Sequence, residues 1–116
     1  MKLSHEPIIL GGVGEGWEKI VEDCDKALFA IDSKYLPAQI KEKWGVLRFY
    51  WDSSYDFDSD EWAKMSLIVA KAENDSAIVC EDCGQPGELR SKDRYWIRTL
   101  CAQCDGLYLK GRTNLE

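Results

Sequence analysis

The order of apolar residues predicts an α+β fold: two amphipathic helices packed on a small sheet, followed by a ribbon-like module closed by cysteines. Three observations carry this: two stretches with apolar residues at three- and four-residue steps, one alternating aromatic run, and two C-x2-C pairs. At 116 residues, 45% hydrophobic and 31% charged, the chain can bury one core and is too short for two full α/β halves. It divides into an α/β core region, residues 1–79, and the module, residues 80–116, packed on the core as one compact unit.

The first helix opens after Gly16. Trp17, Ile20, Val21, Cys24, Ala27, Leu28 and Ile31 form one stripe, with Glu18, Lys19, Glu22, Asp23, Asp25 and Lys26 between them. Cys24 lies on the stripe and reads as a buried, inert thiol, since the single histidine, His5, has no indicated relation to it. Pro37 to Trp44 predicts a short helical turn with proline at its first position, ended by Gly45. Val46 to Trp51 predicts a strand, with Leu47, Phe49 and Trp51 on one face and Val46, Arg48 and Tyr50 on the other. Asp58 followed by Glu61 resembles a capping box for a second helix, whose stripe is Trp62, Met65, Ile68, Val69 and Ala72, ending near Asn74.

Cys80-Glu81-Asp82-Cys83 and Cys101-Ala102-Gln103-Cys104 are separated by 17 residues, the spacing of a four-cysteine zinc site. Gly84 suits the tight turn after the first pair. Gln85-Pro86-Gly87 is a turn, and Tyr95 to Leu100 reads as a strand leading into the second pair, the layout of a zinc ribbon. The predicted cofactor is one structural Zn²⁺ on Cys80, Cys83, Cys101 and Cys104, because four thiolates leave no open position for water or substrate. They also outweigh the ion's charge, so metal binding creates no phosphate site.

Other motifs fail on spacing. Gly12-Val13-Gly14-Glu15-Gly16 is G-x-G-x-G with no following Lys-Ser/Thr, so it does not predict nucleotide binding. Asp56, Asp58 and Asp60 begin like a calcium loop, but Glu61 replaces the glycine and Leu67 the terminal acid. No nucleophile, base and orienting group can be assembled, so no catalytic residue is predicted.

The net charge is −6, with 15 acids and 9 bases in residues 1–79 and 6 of each in residues 80–116. Acids concentrate between Asp52 and Glu61 without a base, interleaved with Tyr55 and Phe57. Tyr55, Asp56, Phe57, Asp58 and Asp60 are therefore the predicted contact with a basic or neutral protein partner. The alternative is nucleic acid on the module through Arg90, Lys92, Arg94, Trp96 and Arg98. The N-terminal stretch has an acid and a proline where a signal peptide is apolar, and Ile8-Ile9-Leu10 is stopped by Gly11-Gly12. Neither secretion nor a membrane partner is expected, and the location expected is cytoplasmic.

Gly16-Trp17, the run Gln39-Ile40-Lys41-Glu42-Lys43-Trp44-Gly45-Val46-Leu47-Arg48-Phe49-Tyr50, and Cys80-x-x-Cys83-Gly84-x-Pro86-Gly87 through Trp96-x-x-Thr99-Leu100-Cys101 resemble a family of small uncharacterised bacterial and phage-associated proteins. These share a phrase similar to IKEKFGGLRFY followed by a ribbon-like cysteine cluster. The resemblance spans roughly residues 16–104 and implies a zinc-bound α/β domain without an agreed activity. Cys104 stands where such members often carry histidine, and Trp44 and Val46 replace the usual Phe and Gly. The expected function is a non-catalytic zinc-binding protein acting through protein–protein contacts, such as an immunity or accessory factor of a phage or toxin locus. A nucleic-acid-associated zinc ribbon comes second and an enzyme with an unrecognised site third.

Overall fold

The computed structural model describes residues 1–7, 12–91 and 96–107, which form helices and two small antiparallel sheets. A 3-10 turn, Glu15–Trp17, leads into helix α1, Glu18–Ile31, where Trp17, Val21, Cys24 and Leu28 are buried along the predicted stripe. Burial and the neighbouring charges of Asp25 and Glu73 push the Cys24 thiol up to about 12, as befits an inert core cysteine.

The expected helical turn at Pro37–Trp44 is instead strand β1, Leu36–Lys43, paired antiparallel with β2, Val46–Asp52. Tertiary pairing decides the conformation: Ile40 faces Phe49 across the ladder and both are buried. A bulge between Pro37 and Gln39 lets proline sit near the strand's start without disturbing the rest of the ladder. Trp44 (φ 55°) and Gly45 (φ 81°) are both left-handed, the pattern of a type I′ two-residue hairpin turn. Glu42 secures it by accepting the Gly45 N–H at 2.6 Å. Leu47, Phe49 and Trp51 face inward as expected, with the first two buried and Trp51 half-buried.

Helix α2, Asp60–Ser76, begins one residue later than a cap at Asp58 would place it. Ser59 is the cap, its hydroxyl accepting the Trp62 N–H at 3.1 Å while donating to the Asp56 carbonyl at 2.6 Å. Asp60 and Glu61 occupy the first turn, where the helix dipole favours acids, and Asp58 is exposed. Met65, Val69 and Ala72 of α2 join Trp17, Val21, Cys24, Leu28, Tyr35, Ile40, Leu47 and Phe49 in one core. Among the described residues, no third strand lies on the α2 side of β2. The Leu47 and Phe49 N–H groups donate to Ser76 Oγ (2.9 Å) and Glu73 Oε2 (3.0 Å), so helix side chains satisfy that edge.

Two buried carboxylates tie segments together. Asp25 accepts from the Ser4 N–H (2.8 Å), the Ser4 hydroxyl (2.7 Å) and the Tyr35 hydroxyl, fixing the N-terminal residues to α1. Asp32 accepts from the backbone of Lys34 and Ser54 and from the hydroxyls of Ser53 and Ser54, at 2.7 to 2.9 Å. Among the described residues, no helix is long and apolar enough to cross a membrane.

Candidate metal centre

The module contains β3, Glu88–Arg90, and β4, Arg98–Leu100, paired antiparallel with Leu89 opposite Thr99. The two C-x2-C pairs flank this ribbon. The first lies in a tight turn in which the Gly84 N–H donates to the Cys80 carbonyl at 2.9 Å and Gly84 takes φ 84°. The second pair leads into a helix over residues 102–107, where the Cys104 N–H points at Cys101 Sγ, 3.4 Å away.

The four sulfurs lie within 4.8 Å of one another, and Cys83 Sγ is 3.7 Å from Cys101 Sγ. That separation is far too long for a disulfide. It matches the roughly 3.8 Å edge of a sulfur tetrahedron whose centre is about 2.3 Å from each sulfur. Cys80 is fully buried, Cys101 and Cys104 half-buried and Cys83 exposed, so the centre is open to solvent on the Cys83 side.

Electrostatics fit a cation. Burial resists ionisation of Cys80, but backbone N–H groups of Cys101, Cys83 and Asp82 outweigh it and bring this thiol down to about 7. Cys104 is pushed up by burial and by the sulfurs of Cys101, Cys83 and Cys80. Cys83 is also raised: the Gln85 N–H favours its thiolate, and burial with the Cys80 and Cys101 sulfurs overrides that. One sulfur is thus prepared as a thiolate, and a divalent ion would compensate the crowding of negative charge that opposes the others.

The residue between the cysteines that matters most is Glu81, which spacing treats as filler. Its carboxylate is buried, accepting the Gly14 N–H at 3.0 Å and meeting Arg98 at 3.2 Å. Its carbonyl accepts the Gly16 N–H at 2.7 Å, and its N–H donates to the Thr99 carbonyl at 3.0 Å. Trp17 Nε1 donates to the Val79 carbonyl at 2.8 Å, and the Thr99 hydroxyl donates to the Gly45 carbonyl at 2.6 Å. A Cβ at Gly16 would collide with backbone atoms of Cys80, Glu81 and Gly84. The G-x-G-x-G run therefore has a structural purpose: Gly14 and Gly16 let the chain lie against the first cysteine turn. An acid beside a cysteine together with that unassigned glycine run was the available signal.

The other predicted site residues stay apart from this centre. Tyr55, Asp56, Phe57, Asp58 and Asp60 are all exposed, with Phe57 at 79%. Phe57 meets Trp62 edge-on at 6.4 Å, and Trp62 lies 5.4 Å from Trp51, so an aromatic ladder runs from the acidic loop toward the core. Of the basic set, Arg90 pairs with Glu88 at 2.8 Å and Arg98 with Asp82 at 2.6 Å, so both are committed within the module. Trp96 is exposed, while Lys92 and Arg94 lie outside the described residues.

Comparison with protein families, curated proteins and solved structures finds no match for this chain.

Proposed function

We infer that this is a non-catalytic binding protein, stabilised by one Zn²⁺, which takes a basic protein partner on the acidic segment from Tyr55 to Asp60. Four clustered sulfurs support zinc: a closed tetrahedral thiolate set suits Zn²⁺ or iron and leaves no position for substrate. Metal analysis of protein purified without added metal is expected to give one zinc per chain, and an iron-bound, coloured protein would overturn the assignment.

The observation that carries the partner reading is the exposed Phe57, bordered by Asp56 and Asp58 and set edge-on against Trp62. An anchor ring within a negative field suits a cationic protein surface, the field steering encounter and the ring supplying desolvated contact. An immunity or accessory factor of a phage or toxin locus is the kind of protein that works in this way. Affinity capture from the source cells, comparing the parent with an Asp56→Asn/Asp58→Asn/Asp60→Asn variant, is expected to yield a basic protein that the variant recovers poorly. Phe57→Ala should speed dissociation by about 1–2 kcal/mol. Equal capture by parent and variant at low salt would remove this reading.

A further inference from the structure

The side of the β1–β2 hairpin turned away from the core carries cations and rings. Because Ile40, Leu47 and Phe49 point inward, the alternating residues Lys41 and Lys43 of β1 and Arg48 and Tyr50 of β2 point outward. Lys41 stands directly opposite Arg48 in the ladder, and like charges in that position destabilise a hairpin. Among the described residues none of these three cations forms an ion pair, and Lys41 instead lies over the Tyr50 ring at 5.8 Å. No acid shares the face between Gln39 and Tyr50. Glu42 belongs to the other side, its carboxylate bound to the turn, and Asp52 stands at the far end opposite Leu36.

The turn adds a second unfavourable choice. Trp44 holds a left-handed φ of 55°, where Asn, Asp or Gly is normal, yet it is 64% exposed, and Tyr50 is 46% exposed. A repulsive cross-strand pair, a tryptophan in a glycine-like conformation and two uncovered rings cost stability without core packing to offset them. The cations and Tyr50 share the outward face, and Trp44 stands at the tip of the same hairpin.

We propose that the outward face of the hairpin, built from Lys41, Lys43, Arg48 and Tyr50, together with the exposed Trp44 at its tip, binds single-stranded nucleic acid. Phosphates would neutralise the cations that oppose each other across the ladder, and Trp44 and Tyr50 offer flat surfaces on which unpaired bases stack. The rings favour a single strand over a duplex, whose bases are already stacked. They also favour nucleic acid over an acidic protein, which needs charge but no ring face. The site is separate from the acidic segment and independent of the function proposed above.

The test uses full-length, zinc-loaded protein and a fluorescent oligodeoxythymidylate of about 10 nucleotides, within the usual footprint of such surfaces. Saturable binding is expected, falling about 20-fold between about 50 and 200 mM salt, as for three phosphate contacts to a single strand. Arg48→Glu is expected to weaken binding at least tenfold, yet preserve or raise the melting temperature, because opposite charges then face each other. Trp44→Asn is expected to lose at least about fivefold in affinity while the turn becomes more favourable. Arg48→Lys should retain most binding. Absence of saturable binding, binding untouched by Arg48→Glu in a folded protein, or polyglutamate competing as well as the oligonucleotide would each overturn the proposal, the last in favour of an acidic protein.

Discussion

The region up to Val79 and the cysteine module differ in what holds them. In the first, eleven buried side chains, nine of them from two helices and a hairpin with Trp17 and Tyr35 from the adjoining turn and loop, form one continuous core, and buried carboxylates pin its loops. In the module, the buried residues among those described are Cys80, Glu81, Thr99, Leu100 and Asp105, with Leu100 the one aliphatic side chain. Two three-residue strands cannot stand alone. The module must borrow its stability, from docking on residues 14–17 and 45 and, on the proposed zinc assignment, from the metal. The contrast shows how a short chain adds a rigid appendage without enlarging its core.

The largest effect that would sharpen this comparison is loss of a sulfur. Cys83→Ser, or strong chelation, should unfold the module, because ligand energy here is folding energy on the order of 10 kcal/mol. Far-UV circular dichroism should retain most of the helical signal of α1 and α2. Collapse of that signal along with the metal would break the distinction between the two regions. Cys24→Ser should leave zinc stoichiometry unchanged.

Next comes the docking surface. Gly16→Val would force the first cysteine turn away and should lower stability by about 1–3 kcal/mol or more, read by denaturant melts. Glu81→Gln keeps an acceptor for Gly14 but loses the charge facing Arg98, and about 1–2 kcal/mol is expected.

Acid should act on the core region. Burial alone would raise the Asp32 carboxyl, but the hydrogen bonds from Ser54, Ser53 and Lys34 hold it below the ordinary carboxylate range. A carboxyl whose folded pKa is depressed contributes stability above its unfolded value of about 3.9, and that contribution is lost as pH falls toward the folded value. Melting curves should therefore steepen in their pH dependence below about pH 4, and Asp32→Asn should flatten that segment.

The smallest effects separate the two capping candidates. Ser59→Ala should cost about 1 kcal/mol, whereas Asp58→Ala should stay within about 0.5 kcal/mol. The reverse order would restore Asp58 as the cap and complicate its use as a partner contact.

These contrasts also explain what could be read in advance. The stripes of α1 and α2 and the alternation of β2 were legible because each buries a face whose period survives any tertiary context. The cysteine set was legible because zinc geometry constrains spacing. β1 was not, since Leu36–Lys43 is rich in Lys, Glu and Gln and holds a proline, and only pairing with β2 makes it a strand. Trp44-Gly45 lacks the Asn-Gly signature of its turn type. Ser59 won over Asp58 because its hydroxyl both accepts from Trp62 and donates to Asp56, a local geometry that residue preference alone does not decide. Glu81 was hidden because its partners Gly14 and Gly16 lie in a distant segment.

That distance has a kinetic consequence. The bonds from Gly14 to Glu81, Trp17 to Val79 and Thr99 to Gly45 span 67, 62 and 54 residues of chain. Contacts so remote in sequence form late, because loop-closure entropy must be overcome before they contribute anything. The helices and hairpin, built from nearer neighbours, can assemble first and offer a finished surface to an arriving cysteine turn. During synthesis the second C-x2-C pair also emerges after the first pair and both helices α1 and α2. On the proposed zinc assignment, metal capture is then the closing event of folding, and a cell short of zinc would accumulate a half-finished molecule with its helices already formed.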